Sequence, residues 1–458
     1  MSRSLAGFPQ EGKSRSALAP RTLVLAASTL LLAAWGAADL IDQTFVASLR
    51  PRPRGEAAYR PHEVIVKFET ATATSTAMHA IADAGGQTAR RSRDGGHFLV
   101  TLADGLSVPE GVSRFAHMPG VAEAEPNGLA YATATTFSPN DRLFTRQWHL
   151  KMLNAERTWA IQKGDSSIVI AVLDTGVAYE DRGAFRRAPD WGSTVFVPGY
   201  NVFTNDSHAN DDNFHGTHVA STIAEATDNA EGAAGLAFGC ALMPVKVLDR
   251  DGVGSFFDIA EGIQYAYRDA PQKAKVINLS LAGDTTSTFL SGVIEDAVRS
   301  GVVIVAAAGN EHRNRVSFPA SHPKVIGVGA VDLRKQRADY SNFGADLDVV
   351  APGGDVDRDD DHDGRPDGVL QQTFDPDEAE LGHYDRFAYY YVSGTSQASP
   401  HVAALAGLLM RQGITSPAAV QAAIQSTAED LGAPGRDDTF GYGLIRPVEA
   451  LSGLGLDR

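Results

Sequence analysis

The sequence contains one cysteine, Cys240, among 458 residues. An intrachain disulfide needs a pair of cysteines, and so does a zinc or redox site of the CxxC type, so the sequence excludes both kinds of feature. Stability must therefore come from a packed interior or from bound ions. Hydrophobic residues make up 43% of the chain, which is enough for a full-sized core and excludes a wholly disordered protein.

Positive charge is also scarce. The chain has 40 lysine and arginine residues against 56 aspartate and glutamate residues, and its formal net charge is −16. Non-specific binding to nucleic acid depends on lysine and arginine contacts to phosphate groups. We therefore expect no nucleic-acid partner. No GxGxxG loop follows an apolar run, so the sequence does not predict a dinucleotide site either.

The N-terminus carries a long uncharged segment. Residues 23–38 contain no charged side chain, and Arg21 precedes them. Small residues at positions 36 and 38 suit a signal-peptidase cut, which favours a cleaved export signal. A retained membrane anchor is the alternative, although a spanning helix usually needs about 20 apolar residues. Both interpretations place the rest of the chain outside the cytoplasm, secreted or periplasmic, with a membrane tether if the segment is retained.

The remaining chain divides into two folded regions. Residues 1–38 are assigned to the signal or anchor, and residues 39–58 to a proline-rich and arginine-rich linker. Residues 59–132 predict a small α+β domain of the ferredoxin-like kind. Residues 133–140 are small and polar, so we expect an exposed and cleavable connection. The strands and helices predicted in the small domain cover residues 64–68, 77–84, 97–102, 108–118 and 121–125.

Residues 141–452 have a different pattern. Continuous apolar runs occur at residues 168–173, 276–281 and 302–306, with helical patterns between them. Short strands that are apolar on both faces are typical of a parallel sheet covered by helices on both sides. The sequence therefore predicts an α/β domain with a mostly parallel central sheet.

Polar side chains with catalytic potential stand at the ends of these runs. Asp174, Ser280 and Asn310 are placed where parallel sheets gather their functional groups. His215 begins a helical pattern, and Ser396 precedes a second one. The order aspartate, histidine, serine is one of the known chain orders of a catalytic triad.

Each of these residues also has a purely structural interpretation. Asp174 suits a turn after a strand, and Ser396 suits a cap before a helix whose first turn we expect to contain Pro400. His215 and His218 have the spacing of neighbours on one helix face, which alone fits a metal site. No third ligand pattern accompanies the two histidines, so zinc is disfavoured. Their joint occurrence in one order favours the triad.

Four segments carry a resemblance to a known family. VLDTGV, HGTHVA, AAAGN and SGTSQASPHVA resemble the signature blocks of the subtilases, the subtilisin-like serine peptidases, over about residues 140–452. The resemblance implies a three-layer α/β sandwich, a triad of Asp174, His215 and Ser396, and an oxyanion donor at Asn310. The residues that it implies in substrate binding are Ser280, Leu281, Ala282, Gly283 and Gly309.

Four positions depart from the family pattern, and one of them, Ser221 in place of glycine after HGTHVA, is expected to be benign. Ala282 replaces the usual glycine, and we expect its methyl group to narrow the specificity pocket. Gln397 follows Ser396 where many relatives have methionine, a residue that oxidants convert to the sulfoxide. We therefore predict activity that resists peroxide. Phe214 stands before His215 where small or polar residues are common.

An acidic segment predicts a calcium site. Asp359, Asp361 and Asp363 with Asp367 fit positions 1, 3, 5 and 9 of a D-x-D-x-D-G loop. Position 12 is Leu370 rather than glutamate, so the loop is not a complete EF-hand. The alternative is a solvated acidic loop. Separately, residues 227–232 resemble the family's calcium loop after the histidine helix, and Asn229 is the best-matched ligand there.

The small N-terminal domain resembles the subtilase propeptide. The resemblance implies an intramolecular inhibitor that is removed by self-cleavage between about residues 130 and 140. We therefore predict an extracytoplasmic serine endopeptidase, made as a zymogen, that hydrolyses protein or peptide substrates through an acyl-enzyme. The alternative function is a catalytically silent subtilase fold that acts as a calcium-dependent binding module. An esterase is disfavoured because the G-x-S-x-G elbow is absent around Ser396.

Overall fold

The structure is a computed structural model that describes residues 59–70, 72–103, 105–128 and 136–453. It divides into two compact units, one within residues 47–134 and one that contains residues 135–458. The predicted export segment, the linker and part of the processing connection lie outside the described residues. Among the described helices, none is long and apolar enough to cross a membrane.

The N-terminal unit is a four-stranded sheet with two helices. Its sheet order is β2-β3-β1-β4, and every neighbouring pair is antiparallel. This order, with the chain succession βαββαβ, is ferredoxin-like and confirms the predicted α+β domain. The elements are β1 (Tyr59–Phe68), α1 (Thr74–Asp83), β2 (Gly86–Arg91), β3 (His97–Leu102), α2 (Val108–Ala116) and β4 (Val121–Gly128).

Alternation along the two central strands builds the core of this unit. Val64 and Val66 on β1 and Phe98 and Val100 on β3 are all buried, whereas the residues between them are more exposed. A reciprocal capping box formed by residues 107 and 110 begins α2. Strand β2 was not predicted, because its sequence GQTARR is mostly polar, as an edge strand permits.

The C-terminal unit is built on a seven-stranded parallel sheet. The sheet order is β11-β10-β9-β8-β5-β7-β6, which confirms the predicted α/β architecture. Nearly every strand residue is buried, as expected where helices cover both faces. Its strands are β5 (Val169–Asp174), β6 (Tyr200–Asn201), β7 (Ala241–Lys246), β8 (Val276–Leu279), β9 (Val303–Ala307), β10 (Ile326–Val331) and β11 (Val349–Pro352).

Helices flank this sheet, and a separate hairpin precedes the last long helix. The hairpin pairs β12 (Val369–Phe374) with β13 (Phe387–Val392) in antiparallel register. Helix α9 packs against β8 to β11 and against α5. The helices are α3 (Trp148–Met152), α4 (Ala155–Ile161), α5 (His215–Ala224), α6 (Phe256–Gln264), α7 (Thr288–Arg299), α8 (Pro376–Glu380), α9 (Thr395–Arg411), α10 (Pro417–Ser426) and α11 (Pro447–Leu451).

The expectation that Pro400 stands in the first turn of its helix was wrong. Helix α9 begins at Thr395, so Pro400 lies in its interior. A proline lacks the N–H that would bond the carbonyl four residues earlier, which is that of Ser396. The Ser280 hydroxyl donates to this carbonyl instead, at 2.7 Å. The side chain from β8's end thus replaces the missing helical bond.

Candidate active site

The aspartate and histidine predicted for the triad meet at one edge of the sheet. Asp174 is the last residue of β5 and is fully buried, and His215 is the first residue of α5. His215 Nδ1 lies 2.7 Å from Asp174 Oδ1. That oxygen also accepts the N–H of Thr175, at 2.7 Å. These two bonds fix the orientation of the carboxylate toward the imidazole.

The serine predicted for the triad opens α9. Ser396 is the second residue of this helix, and its hydroxyl donates to the Ser280 carbonyl at 3.2 Å. Ser396 and His215 line the same cleft. The hydroxyl therefore shares a cleft with the imidazole, and the hydrogen bond that it donates goes to Ser280. Catalytic hydrogen bonds commonly tighten only when substrate is bound.

Asn310 stands on an exposed turn beside the start of α9. Its Oδ1 accepts both the N–H and the hydroxyl of Thr395, at 2.9 and 2.8 Å. With the oxygen so engaged, the Nδ2 group faces Gly394, where a β-carbon would lie 3.4 Å from Asn310 Nδ2 and 3.6 Å from the Ser396 nitrogen. Two N–H donors therefore approach the same small volume, which Gln397 Oε1 also borders, at 2.8 Å from that β-carbon.

Gly309 directly precedes Asn310, and its α-carbon packs against Asn342 and Ser317. Its φ is +104°, and a β-carbon there would come within 2.3 Å of Asn342 Nδ2 and 2.8 Å of Ser317 Oγ. Its N–H donates to Thr395 Oγ1 at 3.2 Å. Gly309 is thus tightly packed behind Asn310, and it is not among the described residues that line the cleft.

The cleft has a volume of about 710 Å³. Residues 280–285 form one wall and residues 251–256 another, so Ser280, Leu281, Ala282 and Gly283 all line it. Within the described residues, the backbone groups of Leu281 and Ala282 make no hydrogen bond. An edge of extended backbone therefore faces the cleft with free donors and acceptors. Phe256 packs closely enough that a β-carbon on Gly283 would lie 2.8 Å from its ring.

The imidazole of His215 sits between opposing electrostatic effects. Its side chain is 22% exposed, and this burial lowers its pKa. The charge of Asp174, its hydrogen bond and the charge of a second carboxylate, Asp211, outweigh burial, so the net pKa of His215 is raised. The site therefore favours the imidazolium more than water does.

Sequence reasoning missed Asp211 and the strain beside it. Phe214 has a φ of 106°, a left-handed conformation that costs a bulky residue on the order of 1–3 kcal/mol. The Asp211 carboxylate accepts the N–H of Phe214, and Thr373 Oγ1 donates to the carbonyl of Phe214 at 2.6 Å. The pair of aspartates before the HGTH block was the only sequence signal for this arrangement.

The acidic segment brings three of its four predicted ligands together. Carboxylate oxygens of Asp359, Asp361 and Asp363 lie within 4.8 Å of one another. Asp367 is buried apart from this group, and its carboxylate accepts the N–H of Asp360. Burial, with the neighbouring carboxylates, raises the pKa of Asp367 to about 6.

Asn229 lies in a second acidic environment. Its Nδ2 group donates to Asp190 Oδ1 at 2.6 Å, and Asp141 accepts the N–H of Asp228 at 2.8 Å. Burial raises the pKa of both Asp141 and Asp190. Neither aspartate was predicted as a site residue, since both are far from residue 229 in the chain and belong to no local motif.

Comparisons with known proteins agree with this architecture. The profile of the Subtilase family matches residues 165–443, and that of the Fervidolysin N-terminal prodomain matches residues 49–127. A thermophilic serine proteinase of a Bacillus species is 36% identical over 396 residues, which cover 86% of this chain and 88% of that protein.

Two further relatives cover about two thirds of the chain. Thermitase of Thermoactinomyces vulgaris is 35% identical over 300 residues, 65% of this chain and 94% of thermitase. A solved structure of a protease from Pseudoalteromonas arctica is 31% identical, with a TM-score of 0.60, and the match covers 69% of this chain and 99% of that one. The chain therefore belongs to the subtilase family and is a subtilisin-like serine protease with a prodomain.

Proposed function

We propose that this protease is an extracytoplasmic endopeptidase, made as a self-processed zymogen, with Asp174, His215 and Ser396 as its triad. The observation that carries the proposal is the 2.7 Å contact between His215 Nδ1 and Asp174 Oδ1 at the cleft that Ser396 also lines. A serine hydroxyl is a weak nucleophile until a neighbouring base takes its proton.

The mechanism follows from these three groups. Ser396 Oγ attacks the carbonyl carbon of the substrate while His215 Nε2 takes the hydroxyl proton. His215 then gives that proton to the leaving amine, and the peptide bond breaks to leave an acyl-enzyme. Asp174 keeps the Nδ1 proton in place and stabilises the imidazolium. In the second half of the reaction, water attacks the acyl-enzyme ester while His215 takes its proton, and the carboxylic acid product is released.

Asn310 and the backbone of Ser396 supply the oxyanion donors in this proposal. The converging N–H groups near Gly394 support that role. Loss of one such preorganised donor typically costs about 10²–10³ in turnover.

The substrate is proposed to bind as an added strand. The unbonded backbone of Leu281 and Ala282 supports pairing with an extended peptide, a mode that tolerates many sequences because it uses main-chain groups. The methyl group of Ala282 is exposed in the cleft and is the side chain that we expect to limit the residue before the cut. Gly309, behind Asn310, supports the turn rather than the peptide.

The prodomain is proposed to inhibit the enzyme until self-cleavage between about residues 130 and 140. Export is proposed to use residues 1–38, which lie outside the described part of the chain. Mass spectrometry of the N-terminal peptide of the mature protein tests the processing cut, because it distinguishes a cut after the prodomain from an uncut precursor. The mass of the precursor's N-terminus distinguishes a cleaved leader from a retained anchor.

Calcium is proposed to bind the loop at residues 359–364. Gly364 has a φ of +81° at the sixth position, where such loops need a sharp left-handed turn. Both oxygens of Asp359 accept loop N–H groups, which orients its carboxylate toward Asp361 and Asp363. Arg365 donates to Asp363 at 2.9 Å, so an ion must compete with that contact.

A second calcium site is proposed at Asp141, Asp190 and Asn229. Burial raises the pKa of both Asp141 and Asp190, because it removes their charged forms from water. A hard cation with oxygen ligands would relieve that cost. Its expected effect is structural, since the catalytic steps above use no metal.

The decisive experiment compares casein hydrolysis by the wild type and Ser396→Ala. We expect the variant to lose about 10⁶ in kcat, because the nucleophile is removed. Ser300→Ala, which deletes an exposed hydroxyl on the end of α7, is the matched control and should behave as wild type. Equal activity of wild type and Ser396→Ala would overturn the triad.

The same assay tests the alternative that the sequence left open, a catalytically silent fold that acts as a binding module. An inert wild type with a correctly cut prodomain would favour that module. A serine-reactive phosphonate should label the wild type and leave Ser396→Ala unlabelled.

A further inference from the structure

Asp211 is a fully buried carboxylate that the triad chemistry does not use. Its Oδ1 accepts the hydroxyl of Thr175 at 2.8 Å and the N–H groups of Asn213 and Phe214 at 3.0 and 3.1 Å. Its Oδ2 accepts the N–H and the hydroxyl of Thr217, at 2.9 and 2.6 Å. Among the described residues, no lysine, arginine or histidine forms an ion pair with it.

These five bonds join the two elements that carry the aspartate and the histidine. Thr175 directly follows Asp174 at the end of β5, and its Oγ1 also accepts the N–H of Gly216 at 2.9 Å. Thr217 lies in the first turn of α5, which begins at His215. The Asp211 carboxylate thus fixes the end of the strand against the start of the helix.

The same carboxylate holds the strained turn before His215. Phe214 adopts its left-handed conformation with its N–H on Asp211. Non-glycine residues keep such a conformation only where the surroundings over-determine it, and these positions concentrate at functional sites. This turn lies immediately before His215, so it fixes where α5 begins.

We propose that Asp211 is a positioning residue for His215, and that its uncompensated negative charge acts with that of Asp174 to stabilise the imidazolium during catalysis. This inference rests on the proposed triad. Two buried carboxylates then act on one imidazole. Asp174 bonds to it directly, and Asp211 holds the turn before it and adds a negative charge nearby.

The groups that face His215 come from several elements. Asp174 lies on β5, and Asp211 precedes α5. His218, one turn further along α5, is buried, and burial lowers its pKa to about 3, so it adds no positive charge at neutral pH. Asp251 reaches the same cleft from the opposite wall. Lys246 on β7 donates to Asp212 at 2.6 Å and to the Thr175 carbonyl at 2.7 Å.

The test is the pH dependence of kcat/KM for a small peptide substrate. Its acid limb reports the free enzyme's base, which is His215 in the proposal. Asp211→Asn removes a negative charge, so the imidazolium loses stability and the acid limb should move to lower pH. An amide also presents donors to N–H groups that need acceptors. We expect kcat to fall by about 10–100-fold with KM changed less than about threefold.

Three variants separate charge from structure. Asp346→Asn is the matched control for net charge, because it removes an exposed carboxylate that precedes β11, and its acid limb should stay at the wild-type pH. Thr217→Val deletes one donor to Asp211 but keeps the charge, so kcat should fall while the acid limb does not move. Asp211→Glu also keeps the charge and should retain the wild-type acid limb with a reduced kcat.

The outcomes are distinct. An Asp211→Asn enzyme with wild-type kcat and an unmoved acid limb would overturn the inference, as would equal shifts in Asp211→Asn and Asp346→Asn. If Asp211→Asn does not fold, a shifted acid limb in Thr217→Val or Asp211→Glu would also contradict it. Persistent activity in Ser396→Ala would instead show that the proposed triad is wrong, which is a different failure.

Discussion

Gln397 directly follows the proposed nucleophile, and its side chain is buried. Methionine at such a position is open to oxidation to the sulfoxide, which is larger and more polar. Glutamine has no sulfur to oxidise, so we expect the wild type to keep most of its activity after exposure to dilute peroxide. The measurement is residual peptide hydrolysis after a fixed exposure.

The matched variant is Gln397→Met, which should start active and lose most of its activity under the same exposure. Equal residual activity of the wild type and Gln397→Met after exposure would contradict this prediction. Rapid inactivation of the wild type would show that an oxidisable group elsewhere controls activity.

Single residues also show where sequence reasoning reached its limit. Asp174, His215 and Ser396 stand in short blocks, so their identity is visible in the sequence. Asp211 has no motif of its own, because its role comes from five contacts with groups on two different elements. Asp141 and Asp190 were hidden for the same reason, since only folding brings them to Asn229.

Three helices place buried histidines behind the site. His149 on α3, His218 on α5 and His401 on α9 are all inaccessible to solvent. His149 Nδ1 lies 2.9 Å from His401 Nε2, and His401 Nδ1 lies 2.9 Å from the Gln397 carbonyl. The two contacts assign a proton to Nδ1 of each ring. His149 then donates to His401 Nε2, and His401 donates to the Gln397 carbonyl. Both rings are therefore neutral.

Protonation of these histidines should unfold the protein in acid. Burial lowers the pKa of His218 to about 3 and that of His401 to about 4, from an ordinary value of 6.5. Between these values and 6.5 the unfolded chain binds more protons than the folded one, so stability falls as pH falls below about 6.5. We expect a loss of about 2 kcal/mol for each of the two by pH 5.

Urea unfolding at pH 7.5 and pH 5 measures this loss, with calcium held constant. His401→Gln should show a smaller difference between the two pH values than the wild type, because glutamine does not titrate. His312→Gln removes an exposed histidine and should leave the difference unchanged. An equal change in stability between the two pH values for the wild type and His401→Gln would contradict the assignment.

Whole elements were predicted best where apolar runs were longest. The strands β5, β8 and β9 coincide with continuous apolar runs in the sequence. All of their residues are buried, as a parallel sheet covered on both faces requires. Strand β2 and the start of α9 were not predicted. The first is polar at a sheet edge, and the second depends on the Ser280 hydroxyl, which no local pattern around Pro400 can reveal.

At the scale of the whole molecule, an acidic chain without disulfides should depend on calcium. Ligand that binds only the folded state stabilises it by about 2.7 kcal/mol at 100 times its Kd. We expect calcium to raise the melting temperature and a chelator to lower it. Melting with calcium and with chelator measures the effect directly, in an inhibited enzyme so that self-digestion does not intervene.

Variants assign that effect to a site. Asp361→Asn should reduce the response if the loop at residues 359–364 binds the ion, and Asp190→Asn should reduce it if the site at Asn229 does. Asp377→Asn, an exposed change at the start of α8, is the control and should respond as wild type. Identical melting in calcium and chelator would remove both sites.

The link between Ser280 and Ser396 spans 116 residues of chain. A ribosome adds about 5–20 residues per second, so roughly 6–23 s pass between synthesis of the two serines. During that time the growing chain already holds Asp174 and His215 but has no serine to attack with, and no partner for the Ser280 hydroxyl. If Ser396 is the nucleophile as proposed, the nascent chain cannot complete its triad until 396 of its 458 residues have been translated.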